Sequence, residues 1–378
     1  MEAIPQFSWL SPTWVLAFVF VLTVIVFFHE LGHFLVARWC GVGVKVFSVG
    51  FGPELIGWTD RQGTRWRVSA IPLGGYVKFL GDENAASATD REALARMPPG
   101  EYAHAFAAKS VGQRAAIVAA GPIANFVLAI AIFATIFAVF GRQVTTPRVD
   151  TVTPGSAAEA AGFMPGDLIV AIDGVPVETF TDLQRIVTVS AGRPLAVTVE
   201  RAGARMNLTA TPELKEQTDR FGNVHRIGML GIGRSATEAD IVTQHFSVPE
   251  AIWLGAQETW FVVERTAGYV AGVVMGRESP DQLGGPIRVA QVSGQVATLG
   301  FLALVNLAAI LSVSIGMINL LPIPMLDGGH LVYFAVEAIR GKPLSERAQE
   351  LGFRLGLALV ILLMLFATWN DILHLAGS

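Results

Sequence analysis

The 378-residue chain is 52% hydrophobic and only 15% charged, and its mean hydropathy is +0.51. Soluble domains average about 25% charged residues, so this composition indicates a membrane protein. The formal net charge of -4, with no basic stripe, argues against a nucleic-acid partner, and the single cysteine, Cys40, excludes an internal disulfide and a cysteine-based zinc site.

Three stretches are long and apolar enough to cross a bilayer, for which about 20 residues are needed, and a shorter fourth is expected to reach back past Arg354 by snorkelling of that side chain. They cover approximately residues 13–37, 115–140, 296–326 and 355–369. No basic residue precedes Arg38, and no small-residue cleavage site follows the first stretch, so we interpret it as a retained span rather than a signal peptide. The sequence therefore predicts a polytopic α-helical membrane protein with four transmembrane helices.

The distribution of lysine and arginine predicts the orientation of these spans. Residues 1–37 contain none, whereas residues 38–114 contain ten, and further basic residues lie between the third and fourth spans. The positive-inside rule then puts 38–114 and 328–354 in the cytoplasm. Both termini and the segment 141–295 are expected outside the cytoplasm.

The first span carries the sequence HELGH, in which His29 and His33 are four residues apart. On a helix this spacing places both imidazoles on one face, where one ion can bind both, and Glu30 then has the position of a general base in a zinc protease. A chance match is the alternative. An acid within a span costs roughly 2.5–3.5 kcal/mol, and such residues are usually functional, which favours the metal site.

A catalytic zinc takes three protein ligands and keeps one position open, so a third ligand is needed. The candidate is Asp327, the sole acid of residues 296–336. Pro322 and Pro324 should break the helix before it, and Gly328 and Gly329 should permit a tight turn that aims the carboxylate at the first span. The alternative is a turn or cap residue at the membrane edge.

Two neighbours of Asp327 have less defined roles. Asn319 could hold a substrate carbonyl or orient a metal ligand. His330, three residues after Asp327, is either an outer partner of the site or a surface residue.

With these residues in place, the sequence resembles the site-2 protease family of intramembrane zinc metalloproteases, and more closely its bacterial regulator of sigma-E protease group. The resemblance rests on His29-Glu30-Leu31-Gly32-His33, on the stretch GPIAN at 121–125, and on NLLPIPMLDG at 319–328. It implies zinc bound by His29, His33 and Asp327, with Glu30 as the base. It also implies hydrolysis of peptide bonds inside membrane-spanning substrates. The resemblance further implies a bacterial inner membrane, with both termini and the segment 141–295 on the periplasmic or extracellular side and the active site toward the cytoplasm.

The stretch IPLGGYVKF at 71–79 alternates apolar and polar residues, which predicts a strand or hairpin. In the family a membrane-associated β-hairpin here offers its edge to an unwound substrate by strand addition. The resemblance therefore implies substrate contacts from a set of residues on this strand and beside Asp327, with a plain surface hairpin as the alternative. The set comprises Gly74, Gly75, Tyr76, Val77, Asn319, Pro322 and Pro324.

Residues 142–213 predict one small α/β domain outside the membrane, with a helical AAEAAG piece, the strand DLIVAIDG, a helix from about 181 and a hairpin turning at Ala202-Gly203. The pattern resembles a circularly permuted PDZ domain, which binds extended chain ends. A role as a size filter, or as a sensor of substrates trimmed by another protease, follows from the resemblance. The alternative is a packing module with a blocked groove.

The expected organisation is then an N-terminal membrane region at 1–141, the PDZ-like domain at 142–213, a connector at 214–295 and a C-terminal membrane region at 296–378. Within the connector, residues 250–275 predict an interfacial amphipathic helix, or alternatively a fifth span.

The predicted function is regulated intramembrane proteolysis of single-span membrane proteins after prior trimming, with Zn²⁺ as cofactor. Anti-sigma factors or signal-peptide remnants are the expected substrates, and an upstream site-1 protease is an expected partner. A membrane metal transporter and a non-catalytic PDZ scaffold are the rival interpretations. The first has no use for Glu30 within its motif, and the second predicts a broken motif.

Overall fold

A computed structural model describes residues 12–82, 91–218, 224–235, 240, 242–276 and 284–377. The chain forms two compact units. The first comprises residues 1–134, 252–266 and 283–378, and the second comprises 135–251 and 267–282.

The helices are α1 (Pro12–Trp39), α2 (Arg91–Arg96), α3 (Pro99–Tyr102), α4 (Val111–Phe140), α5 (Ala157–Ala160), α6 (Phe180–Val189), α7 (Val248–Val274), α8 (Pro286–Ala297), α9 (Phe301–Asn319), α10 (Asp327–Arg340) and α11 (Glu346–Gly377), with a 3₁₀ turn at Phe106–Ala108. The strands are β1 (Val44–Thr59), β2 (Arg65–Phe79), β3 (Arg142–Val144), β4 (Thr151–Val152), β5 (Leu168–Ile172), β6 (Val175–Pro176), β7 (Leu195–Arg201), β8 (Ala204–Ala210), β9 (Glu213–Thr218), β10 (Val224–Met229), β11 (Ile232–Gly233) and β12 (Val242–Gln244).

Within the described residues, four helices are long and apolar enough to cross a membrane, as predicted: α1, α4, α9 and residues Arg347–Ile372 of α11. The third of them ends at Asn319, seven residues before the end of the predicted stretch, because Pro322 and Pro324 interrupt the helix. Helix α7, which carries Glu258, Glu264 and Arg265, is not among the four.

Close packing of α1, α4 and α9 relies on small residues. A Cβ on Gly32 of α1 would overlap the carbonyl oxygen of Ala120 on α4, and a Cβ on Gly316 of α9 would lie 3.2 Å from the carbonyl oxygen of Pro122. Small residues let helix backbones approach in a membrane, where dispersion contacts and hydrogen bonds hold the helices together. The two glycines therefore bring three spans together at the level of HELGH.

The strands β1 and β2 pair with each other twice. Residues 46–49 of β1 pair with residues 75–78 of β2 on one side and with residues 65–68 on the other. Phe47, Val49 and Val77 are buried in a cluster with Phe34 of α1 and Ile117 of α4. Residues 54–59 of β1 pair with residues 65–69 of β2, and the apolar side chains of this outer part are largely exposed. The buried cluster thereby holds residues 75–79 beside α1.

The second unit is built on a four-stranded antiparallel sheet in the order β6-β5-β7-β8. The helix α6 begins with a capping box in which Thr179 and Asp182 satisfy each other's backbone N–H groups. The strands β7 and β8 turn at Ala202-Gly203, both with positive φ. The core of the unit is aliphatic and includes Val149, Ile169, Ile172, Leu195, Val197 and Val199.

Candidate metal centre

His29 and His33 lie on the inner face of α1, and their Nε2 atoms are 3.2 Å apart. The run of apolar residues before them supports the helix, and the i, i+4 spacing places the two rings edge to face on one side of the helix, with centroids 4.8 Å apart. Both side chains are only 12% exposed. The paired imidazoles predicted from the sequence are therefore present and face the protein interior.

Asp327, almost 300 residues further along the chain, meets this pair. Its Oδ2 is 3.2 Å from Nε2 of His29 and 3.6 Å from Nε2 of His33. These three ligand atoms all lie within 4.8 Å of one another. The structure thus brings together all three residues that the sequence predicts as metal ligands.

The segment between α9 and α10 aims Asp327 inward, although not by the turn predicted from the sequence. The backbone reverses at Met325, which has φ +86°, and Asp327 is the first residue of α10. A non-glycine residue in this region costs of order 1–3 kcal/mol, which the surrounding structure must offset. The prediction that Gly328 and Gly329 form the turn is wrong, because both are helical.

Gly328 and Gly329 serve close packing instead. A Cβ on Gly328 would overlap the carbonyl oxygens of Leu320 and Leu321, and a Cβ on Gly329 would overlap that of Ile323. The absence of side chains therefore lets the first turn of α10 pack directly on the broken segment before it. This contact fixes the position of Asp327 relative to the end of α9.

An ion pair attaches α10 to α4. Arg114 Nη2 donates to Oε1 of Glu337 at 2.6 Å, and the two side chains are 15% and 14% exposed. The guanidinium also lies 5.0 Å above the ring of Phe334. The helix that carries Asp327 is in this way held against the helix that packs on His29 and His33.

The outer nitrogen of His33 has a backbone partner. Its Nδ1 is 2.9 Å from the carbonyl oxygen of Ile117 on α4, so Nδ1–H donates and Nε2 keeps a free lone pair. Gly121, one turn later, faces the ring edges of both histidines, and a Cβ there would overlap His33. Pro122 follows within the helix and cannot donate to the carbonyl of Val118.

The outer nitrogen of His29 faces an amide. Nδ2 of Asn125 is 3.3 Å from Nδ1 of His29, and Asn125 is fully buried. Its backbone carbonyl accepts from the hydroxyl of Ser312 on α9 at 2.9 Å. Both imidazoles are thus held on their outer side by α4.

The donor set fits zinc. Zinc–nitrogen bonds of about 2.0–2.1 Å imply ligand-to-ligand edges of about 3.3 Å in a tetrahedron, close to the 3.2, 3.2 and 3.6 Å found here. Oδ2 of Asp327 is buried and accepts no hydrogen bond from the described residues, as expected of a metal ligand. Two nitrogens and one oxygen leave a fourth position open, as in catalytic zinc sites.

A cavity of about 610 Å³ surrounds these residues. Glu30 is 9% exposed and lines it with the two histidines and Asp327. Gly75 of β2 lies directly against Glu30, since a Cβ on Gly75 would come within 2.9 Å of its Cγ. The carboxylate predicted as general base therefore shares one chamber with the predicted ligands.

The remaining predicted site residues divide into two groups. The lining of the cavity includes Asn319, Gly74, Gly75, Tyr76 and Val77, and also His330. Pro322 and Pro324 do not line it, and the carbonyl of Pro324 lies against Gly356 of α11.

Sequence reasoning left several contacts unassigned: those of Ile117, Gly121 and Asn125 with the histidines, and the pair of Arg114 with Glu337. The only signal for Gly121 and Asn125 was the stretch GPIAN, to which no role was assigned, and that stretch does not include Ile117.

Comparison with known proteins identifies the family. A model described as peptidase family M50 matches residues 17–363. The chain belongs to peptidase family M50, the site-2 proteases. Among the relatives of this M50 chain, a protein of Agrobacterium fabrum (strain C58) with the provisional name of a zinc metalloprotease is 53% identical over 96% of this chain and 97% of its own length.

Two further relatives agree. One from Rhizobium meliloti, with the same kind of provisional name, is 51% identical over 95% of this chain and 96% of its own. The metalloprotease MmpA of Caulobacter vibrioides is 44% identical over 93% of this chain and 94% of its own. The M50 chain is therefore a zinc metalloprotease and a multi-pass membrane protein, as the sequence predicted.

Proposed function

We propose that this M50 protease hydrolyses peptide bonds within the membrane spans of single-span proteins, with His29, His33 and Asp327 as zinc ligands and Glu30 as general base. The observation that carries the proposal is the meeting of three ligand atoms, within 4.8 Å of one another, beside a buried glutamate of the first span. A metal transporter would have no use for that glutamate.

Bound zinc supplies a Lewis acid that polarises the scissile carbonyl and acidifies the attacking water. Glu30 takes a proton from that water as the water oxygen bonds to the carbonyl carbon. The same carboxyl then gives the proton to the departing amine nitrogen as the C–N bond breaks. Asn319 lines the cavity, and in this proposal its amide N–H donates to a substrate carbonyl.

The strand β2 supplies a second element of the proposal, a template for an extended substrate. A helical substrate hides its carbonyls in i→i−4 hydrogen bonds, so cleavage requires local unwinding. Residues 65–68 of β2 pair with β1 on both edges, whereas within the described strands residues 75–79 of β2 pair on one edge alone, which leaves their other edge unpaired. Gly74 to Val77 on that strand line the chamber, and strand addition there would bring a substrate carbonyl beside Glu30.

The outer part of the hairpin supports a membrane-associated role. Leu55, Ile56 and Trp58 are 66%, 68% and 54% exposed. Exposed apolar residues in this number mark a contact surface. Lipid is the contact expected for a hairpin that also packs on a transmembrane helix.

Residues 142–213, which lie within the second unit, are proposed to form a PDZ-like domain that limits access to trimmed substrates. Its order of helix, strands and capped helix, with a small antiparallel sheet, supports this assignment. With both termini and this unit outside the cytoplasm of a bacterial inner membrane, anti-sigma factors and signal-peptide remnants are the substrate classes that fit. An upstream site-1 protease would remove the outer part of the substrate first.

The test is cleavage of a purified single-span substrate in liposomes by the wild type, Glu30→Gln and the control Glu92→Gln, whose side chain is 85% exposed. We expect Glu30→Gln to keep one zinc per chain and to lose cleavage by at least 100-fold, with Glu92→Gln unchanged. A chelator should stop the wild type. Cleavage by Glu30→Gln at the wild-type rate would show that the base is assigned wrongly.

The requirement for trimming needs its own comparison. The same substrate is offered with and without a folded domain on its outer side, to the wild type and to a variant lacking residues 145–235. Cleavage of the untrimmed substrate only by the shortened variant would support the size filter. Equal rates on both substrates by the wild type would contradict it.

A further inference from the structure

We infer that Val360, on the last span, limits the size of the substrate side chain that can lie next to the cleaved bond. Val360 would then be a specificity-determining residue of the protease. This role rests on the proposed function, because it concerns the substrates that the same cavity accepts.

One narrow face of α11 turns towards the protein over the first half of the helix. Gly352, Gly356 and Val360 follow one another at intervals of four residues, which places them on the same side of the helix. Gly356 is buried, and the other two are half-buried. The residues on the remaining sides are 38–62% exposed, as expected for contact with lipid: Leu355, Leu357, Leu359 and Ile361.

The two glycines hold this face in close contact with its neighbours. A Cβ on Gly352 would overlap the hydroxyl group of Tyr333 on α10, and a Cβ on Gly356 would overlap the carbonyl oxygen of Pro324. Glycines four residues apart let helix backbones approach closely in a membrane. Helix α11 is therefore docked on α10 and on the segment before it, and Val360 lies one turn beyond the second contact.

Val360 is the residue through which α11 reaches the cavity of about 610 Å³. It lines this cavity with Glu30 and the three predicted ligands, and among the described residues of α11 it alone does so. The strand β2 borders the cavity at a different place, since Gly75 lies against Glu30, whereas α11 is docked on the segment that leads to Asp327. A substrate paired with β2 would thus share the cavity with the side chain of Val360.

An extended substrate must place a side chain as well as the cleaved bond in this cavity. Successive side chains of a strand point to opposite faces, so one of the two residues that flank the cleaved bond directs its side chain inward. Val360 is branched at Cβ and therefore has little freedom to turn aside. We expect the cavity to favour a small residue such as alanine at that position over leucine or phenylalanine.

The position of Val360 makes this role separable from the metal site. Helix α1 carries His29, His33 and Glu30, and helix α4 holds both imidazoles from outside. Helix α11 carries none of the residues assigned to chemistry. A change at Val360 should therefore alter the space in the cavity while the zinc content stays constant.

The test is cleavage of a series of single-span substrates in liposomes. The two residues that flank the cleaved bond are set in turn to alanine, leucine or phenylalanine, and mass spectrometry of the products locates the cut. The enzymes are the wild type, Val360→Ala, which enlarges the cavity, Val360→Phe, which fills it, and Leu359→Ala. The last is the matched control, because Leu359 is the adjacent residue and is 41% exposed.

The quantity compared is the ratio of kcat/KM for the phenylalanine substrate to kcat/KM for the alanine substrate. One methylene in an apolar pocket changes such a ratio by about 10–200-fold. At one of the two flanking positions we expect the ratio to rise at least 10-fold in Val360→Ala and to fall at least 10-fold in Val360→Phe. In Leu359→Ala it should stay within about threefold of the wild type, and all four chains should hold one zinc.

An unchanged ratio in Val360→Ala overturns the inference, as does an equal shift in Leu359→Ala. A merely structural role for Val360 would lower the rates on all substrates by the same factor, and that result overturns it too. Thermal melting shows whether each variant is folded, and Val360→Ala decides the matter by itself for an unfolded Val360→Phe. Failure of the wild type to cleave any substrate of the series would instead contradict the proposed function itself.

Discussion

Gly121 on α4 lies so close to His33 on α1 that a methyl group at its Cα would overlap Nε2 of the imidazole and approach Cε1 of His29 to 2.9 Å. Helix α4 therefore serves as the wall against which both histidines are held. We expect Gly121→Ala to lower zinc affinity by at least tenfold, because the rings must move from a geometry that fits zinc.

The matched control is Gly112→Ala on the same helix, where a Cβ has no neighbour within 4 Å. Zinc affinity by chelator competition, together with thermal melting, checks the pair. Equal zinc affinities in the two variants would show that close contact of α4 with the histidine rings is not required for zinc binding.

A substitution at Gly75, which contacts Glu30, should affect catalysis without affecting metal binding. A Cβ on Gly75 would lie 2.8 Å from Cγ1 of Val26 and 2.9 Å from Cγ of Glu30, but none of the three nearest atoms belongs to a predicted ligand. Gly75→Val should therefore displace the base and reduce cleavage by 10-fold or more, while zinc content stays at the wild-type level. Loss of zinc in this variant would mean that β2 supports the metal site rather than the base.

Removal of one partner of the Arg114–Glu337 ion pair should destabilise the protein more than replacement of both partners. Breaking a buried ion pair by removing one partner costs about 3–5 kcal/mol, whereas replacing both is often neutral. We expect Arg114→Met to lower the melting temperature and zinc affinity, since α10 is released from α4, and Glu337→Met in the same chain to restore much of both.

Arg96 supplies the control for that cycle, because its pair with Glu92 is exposed, at 80% and 85%. Exposed pairs contribute about 0–1 kcal/mol, so Arg96→Met should change neither quantity. A double variant as weak as Arg114→Met alone would contradict the account.

Asp167 should make the stability of the second unit depend on pH. Burial by itself would raise the pKa of Asp167, but the hydrogen bonds from Arg201, at 2.6 and 2.8 Å, and from the N–H of Met164 outweigh it and hold the pKa below its ordinary value. A depressed carboxyl pKa stabilises the fold above the pKa of the unfolded chain, about 3.9, and this stability is lost as the pH falls through the folded pKa.

Hydrogen exchange of β5 amides, corrected for intrinsic rates, should therefore show increased opening as the pH falls below about 4 in the wild type. In Asp167→Asn the opening should be greater at neutral pH, and this part of the pH dependence should be absent. The same pH dependence in both chains would exclude Asp167 as its source.

Much of the candidate site could be predicted from the sequence because its strongest signals are local. The spacing of His29 and His33 follows from helix geometry alone, and Asp327 was conspicuous as the sole acid in its stretch. The four spans were likewise evident from length and hydropathy. These features do not depend on how the helices pack.

The contacts that could not be predicted depend on how one helix is rotated against another. Whether Asn125 or its neighbours face His29 is set by the packing of α4 on α1, which Gly32 determines through close approach. Gly328 and Gly329 were misjudged for a related reason. Glycine suits both a turn and a close contact, and the sequence alone does not distinguish them.

The most direct test of the central claim is zinc K-edge X-ray absorption on the purified full-length protein, with metal content measured on wild type and Asp327→Ala. We predict one zinc per chain in a shell of nitrogen and oxygen that includes two imidazoles, and loss of most zinc from Asp327→Ala. A sulfur ligand from Cys40, or full zinc content and an unchanged spectrum in Asp327→Ala, would contradict the account.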